Sequence, residues 1–268
     1  MSLQDLTEHV PALSSGIHEL VGHADLFSHS GPIHSAWDTF RRSVWGKGVA
    51  SFEFPGPIEG DASALPETIP ASRPVMEVPT TVPNFWDMDI SRILVRSEFQ
   101  EAERAALSAN AMNMDAFVVA GQPEIGSPSP SLSAVEPDLS VGKSVFLMWL
   151  LVRRLALGLP TALQVRKDHA VLFHEGGTSI FLELSDVIPY LVPFKPPPHT
   201  PGKIWALIDS NRFLPEPVEI FMRLRPFFTV EAVSPYQPGH IEWSQSFPSD
   251  CFYMRPWDLS EIIQASVA

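Results

Sequence analysis

Near the middle of the chain, Val141-Gly142-Lys143-Ser144 sets a glycine, an ammonium and a hydroxyl at the head of an apolar stretch. Upstream, Gly121-Gln122-Pro123-Glu124-Ile125-Gly126 carries two glycines at the spacing that opens G-x-x-x-x-G-K-[ST]. Joining Gly126 directly to Lys143 gives GQPEIGKS, a full match to the phosphate-binding P-loop. In such a loop successive backbone N–H groups converge on one anion, the lysine reaches the β- and γ-phosphates, and the hydroxyl ligates Mg²⁺. Gly121, Gly126, Gly142, Lys143 and Ser144 are therefore the expected nucleotide-binding residues. Residues 127–142 separate the two halves, and their Ser/Pro-rich composition predicts a disordered insert.

A magnesium nucleotide needs a second oxygen donor, and Ile204-Trp205-Ala206-Leu207-Ile208-Asp209 supplies it. An acid at the carboxyl end of an apolar strand is the Walker B pattern, which makes Asp209 the expected partner of Ser144 at the metal. Ser210 and Asn211 follow, where many ATPases place a water-orienting glutamate, and Glu216 and Glu219 read as surface charges. Phe227 to Ser234 is a further apolar run. Its terminal Ser234 falls where a polar sensor faces the γ-phosphate, although a strand-end cap explains it equally well. The catalytic set is thus Asp209 and Ser234.

The elements around these residues suit them. Ala116 to Ala120 is a short apolar run of the kind that forms a buried parallel strand. Val145 to Leu157 predicts a helix closed by Gly158 and Pro160. Strands are expected at 162–165, 204–209, 227–234 and 251–254, with a hairpin of 170–173 and 179–184 around Gly176-Gly177. His169 and His174 flank its first strand and, five apart, point to opposite faces. A helix is predicted within 91–110, with Phe85 and Trp86 anchoring it or covering an adenine ring, and another from Ser260 behind the capping-box-like Asp258-Leu259-Ser260-Glu261.

Residues 1–84 read as an N-terminal extension and 85–268 as the folded domain. The extension holds weak helical patches at 3–10 and 33–45, with His18, His23, His29 and His34 read as solvated loop histidines. From 52 to 83 prolines are dense enough to interrupt both helix and sheet, which predicts a linker or a wrapping arm.

Composition narrows the classes. With 268 residues and 45% apolar content the chain can build a sizeable core. A net charge of −13 without any basic stripe argues against nucleic acid as a partner. The single cysteine, Cys251, rules out an internal disulfide and reads as a small buried strand residue. The longest apolar run, 145–152, is too short for a membrane span, and no secretory leader is visible. A soluble intracellular protein, cytoplasmic or nuclear, is expected.

Taken together, GQPEIG and GKSVFL, then PTALQV, DHAVLFHEGG, IWALIDSN, FFTVEAVSP and FYMRPWDLSEIIQA resemble a large family of uncharacterised P-loop proteins of mushroom-forming fungi. That family is similar in turn to the ATPase part of retrotransposon-hot-spot and Crinkler-type proteins. The resemblance spans roughly 85–268. It implies an α/β fold of the additional-strand P-loop class: a three-layer sandwich with a mainly parallel central sheet, here with an irregular N-terminal extension. It also implies binding of ATP with Mg²⁺ through Lys143, Ser144 and Asp209, with Ser234 as the sensor-like position. Two departures stand out. Glu124 occupies a position usually held by glycine, and residues 127–142 interrupt the loop in the manner of a retained intron. An Mg-dependent ATPase is one expectation. The other is a P-loop-derived scaffold that has lost catalysis and serves protein–protein contacts.

Overall fold

The computed structural model describes residues 27–28, 32–54, 74–81, 83, 90–121, 142–166, 169–182, 203–210, 221, 227–233, 247–257 and 261. Every residue of one strand, β5 (Ala116–Gly121), is buried. Two others are equally enclosed, β9 (Ile204–Asp209) and β10 (Phe227–Val233). Their sequences are mostly apolar and do not alternate, because both faces of the parallel sheet are covered here.

On either side lie β6 (Thr161–Arg166) and β11 (Ser249–Met254). The five strands run parallel in the order β6-β9-β10-β5-β11. Beyond β6 the sheet turns antiparallel through β7 (His169–His174), β8 (Gly177–Leu182) and the two-residue β1 (Phe27–Ser28). The architecture is therefore α/β with a mixed sheet. The turn between β7 and β8 falls at the expected Gly-Gly, where Gly177 takes φ 149°.

Among the described residues, three helices cover one face. α1 (Pro32–Val44) brings Trp37, Phe40 and Val44 into the main core, where Trp37 and Phe40 meet the Phe173 ring edge-on at 5.8 and 6.0 Å. α2 (Ser97–Ala111) and α3 (Lys143–Ala156) share an aromatic cluster of Phe99, Phe146 and Trp149, with centroids 5.7–5.9 Å apart. Such contacts add about 0.5–1.5 kcal/mol per pair to the burial itself. On the opposite face Phe221 packs against Phe227 at 5.0 Å and accepts a hydrogen bond from Thr229 Oγ1 through its carbonyl. The third layer of the expected sandwich otherwise falls outside the described residues.

Two arginines at the end of α3 fix it to its surroundings. Arg153 bridges Glu53 at 2.6 Å and Glu103 at 2.9 Å, and burial pushes the Glu103 carboxyl up despite that partner. Arg154 is fully enclosed, and burial pushes its guanidinium down to about 9. It thus stays charged at neutral pH. Thr161 Oγ1, the Pro160 carbonyl and the face of Trp205 at 4.3 Å take the place of water.

Several elements differ from the sequence reading. The helical patch expected at 33–45 is α1, but His34 sits on it rather than in a loop, donating through Nε2 to the Thr178 carbonyl at 2.7 Å. The expected linker is structured at both ends. β2 (Glu53–Phe54) and β3 (Val75–Glu77) pair with β4 (Arg92–Leu94) in a small antiparallel sheet. Arg92–Leu94 is thus a strand where the sequence predicts helix, and α2 begins only at Ser97. Cys251 is exposed, because β11 is an edge strand whose residues are mostly accessible. The patch at 3–10, His18, His23, His29, Phe85, Trp86 and the body of the C-terminal helix lie outside the described residues. Among the described residues no helix is long and apolar enough to cross a membrane.

Candidate functional site

Parallel pairing decides which residues meet. β10 lies between β5 and β9, with Val233 level with Ala120 and Ala232 level with Asp209. The carboxyl ends of β5 and β9 therefore open on the same edge of the sheet, one strand apart. α3 starts from that edge and packs across β5, β10, β9 and β6. Its first two residues, Lys143 and Ser144, are thereby carried toward Asp209.

The contact is direct. The Ser144 hydroxyl donates to the Asp209 carboxylate, and the Lys143 ammonium lies close enough to favour its ionised form. Lys143 is 9% exposed and Asp209 7%. Burial pushes the Asp209 carboxyl above its usual range, and the serine and lysine offset only part of that rise. A buried acid destabilised as an anion, with a hydroxyl and an ammonium as its companions, is a group short of positive charge. Its oxygens and that of Ser144 are hard donors, which suit Mg²⁺. Among the described residues no set of three His, Cys, Asp or Glu gathers into a metal site. A cation here would draw its remaining ligands from phosphate oxygens and water.

Gly142 shapes the approach to this pair. It caps α3 with φ 80° and ψ 20°, and its carbonyl accepts the Phe146 N–H at 2.7 Å. A β-carbon there would meet the Trp257 indole at 3.2 Å. Both the left-handed backbone and the ring demand glycine. Gly142→Ala is expected to cost about 1–3 kcal/mol and to displace Trp257; thermal denaturation and indole fluorescence report the two effects. An unchanged melt with an unchanged emission maximum refutes it.

The structure thus unites Lys143, Ser144 and Asp209, and sets Gly142 beside them. Gly121 ends β5 on the same edge, level with Met254 of β11. Gly126 and Ser234 lie outside the described residues, as do Glu216 and Glu219.

One buried pair is marked by no motif in the sequence. Glu231, in the middle of β10, is fully buried and accepts a hydrogen bond from the Ser210 hydroxyl. The available signal was an acid inside an otherwise apolar strand, Phe227-Phe228-Thr229-Val230-Glu231-Ala232-Val233. Compared with models of known families, with curated proteins and with solved structures, the chain finds no match.

Proposed function

We propose that this chain is a P-loop NTPase-like protein of the fungal kind it resembles, binding ATP with Mg²⁺ at the edge formed by β5, β9 and α3. Lys143 takes the β- and γ-phosphates, and Ser144 and Asp209 hold the cation. The observation that carries this reading is the Ser144–Asp209 hydrogen bond beside Lys143. These groups come from two motifs far apart in the chain, and the sheet brings them to one point. The intervening β10 supports it further, since the additional-strand class is defined by a strand between the two motif-bearing ones. Bound Mg²⁺ supplies charge neutralisation for the phosphates. The protein's own residues position them and exclude water from Asp209.

A second reading, a nucleotide-free scaffold for protein partners, is favoured by the residues 127–142 between Gly126 and Lys143 and by Ser210 where an acid orients water in many ATPases. Titration with MgATP separates the two. The full chain, a form lacking 127–142 and Lys143→Ala are compared by calorimetry. Loss of the lysine is expected to weaken binding about 10–100-fold, the worth of a charge-assisted hydrogen bond. If only the shortened form binds, the family role is nucleotide binding and the insert disables this copy. If neither form binds, or Lys143→Ala binds as well as the parent, the nucleotide reading fails.

A further inference from the structure

The residue after Asp209 is the position from which a carboxylate ordinarily reaches the attacking water, and here it is Ser210. It is held with unusual care. Its N–H donates to the Ala232 carbonyl at 2.9 Å, extending the β9–β10 pairing one residue beyond Asp209. Its hydroxyl donates to Glu231, which enters from the neighbouring strand. Ser210 is 3% exposed and Glu231 0%. Consecutive residues at this strand end therefore divide their contacts. Asp209 bonds to Ser144 on α3, and Ser210 bonds to β10.

Glu231 brings a carboxyl group into a strand whose other residues are apolar or Thr229, and its Oε1 accepts the Ser210 hydrogen. A serine hydroxyl has one hydrogen. Once that hydrogen is committed to Glu231, Ser210 Oγ can only accept, and a water is a donor it can take. A water donating one hydrogen to Ser210 has its own lone pair directed away from the serine.

On this basis, and resting on the nucleotide reading above, we infer that the Ser210–Glu231 pair replaces the missing water-orienting acid, with Ser210 touching the water and Glu231 acting as the positioning residue behind it. In the step it serves, the water oxygen forms a bond to the γ-phosphorus and the bond from that phosphorus to the β–γ bridging oxygen breaks. ADP leaves with the bonding pair. The proton shed by the water passes to a phosphate oxygen, so neither Ser210 nor Glu231 changes its covalent state. Such a role is an alternative to general-base catalysis by a carboxylate and matches the little covalent work that phosphoryl transfer asks of a protein.

The test compares Ser210→Ala, Ser210→Thr, Glu231→Gln and the Ser210→Ala/Glu231→Gln double variant with the full chain, and repeats the set in the form lacking 127–142. MgATP affinity and phosphate release are measured separately. Ser210→Ala is expected to lower kcat by about 100-fold or more with KM little changed, while Ser210→Thr, which keeps the hydroxyl, retains most of the turnover. Glu231→Gln should lower kcat alone yet cost nothing further once Ser210 is alanine, as residues acting in series do. A merely structural pair would change the melting temperature and leave kcat of the folded protein unchanged. If parent protein binds MgATP and Ser210→Ala turns over at the parent rate, the inference is overturned and the nucleotide reading stands. Binding without turnover in both parent forms also overturns it. If neither parent form binds MgATP, the nucleotide reading itself falls and takes this inference with it.

Discussion

Replacing Arg96 by alanine is expected to cost about 3–5 kcal/mol of stability, the range for removing one partner of a buried ion pair. Arg96 has no exposed surface, and Glu261, which it meets through Nε at 3.1 Å and a terminal nitrogen at 3.0 Å, is 2% exposed. The same guanidinium donates to the carbonyls of Arg255 and Pro256 and lies 4.9 Å from the Trp257 ring centre. It also helps settle Glu98. Burial pushes that carboxyl up, but a backbone hydrogen bond, Arg96, Ser97 and Arg255 together hold it below the usual range. Alanine would strand one buried carboxylate and two carbonyls and free the indole that covers Gly142. Lysine should not restore the loss, since an ammonium cannot match the two-pronged contact with Glu261. Urea denaturation of the three proteins is decisive: a loss below about 1 kcal/mol would place Arg96 among ordinary surface pairs.

Asp209→Asn should do two things at once. At neutral pH it is expected to raise the melting temperature, by about 2–4 °C for each kcal/mol of relieved burial cost, and it should abolish Mg²⁺-dependent nucleotide affinity. The sign follows from burial. The folded carboxyl titrates above its unfolded value, so the folded state holds its proton more tightly. Below the unfolded value, about 3.9, both states are protonated and the site costs nothing as an ion. As pH rises through the folded value the acid must ionise in a dry setting, and stability is lost. Asparagine avoids that ionisation and can still accept the Ser144 hydrogen. Its advantage should therefore be full at pH 7 and vanish near pH 3. A variant less stable than the parent at pH 7 would show that the lysine and serine outweigh burial and hold the carboxyl below its ordinary value.

The inner strands were legible because β5, β9 and β10 are buried on both faces, so their residues are mostly apolar and do not alternate, and the run itself marks the element. The helix after Gly142 and the β7–β8 turn were legible for local reasons, strong helix formers in one case and paired glycines in the other. Arg92–Leu94 was not. Three residues cannot announce a strand, and its partner Val75–Glu77 lies in a proline-dense segment whose periodicity is erased. Cys251 was misplaced because composition shows a strand but not whether that strand ends a sheet. Lys143, Ser144 and Asp209 stand in stretches that the sequence singles out, whereas the Glu231 contact with Ser210 needed the register of β9 against β10 and could not be inferred from either strand alone.

The placement of β5 also dictates an order of events. Ala116 must pair with Thr229 on one side and Ser249 on the other, each more than a hundred residues later in the chain. During synthesis at about 5–20 residues per second, the strand that leads toward the site therefore waits for seconds as a bare apolar segment. The β7–β8 ribbon, closed by the two-residue turn Glu175-Gly176, pairs residues that are close in the chain. The long sequence separation of the β5 pairings, against the local pairing of β7 with β8, is the kind of topology that folds slowly and leaves an apolar strand unpaired until late.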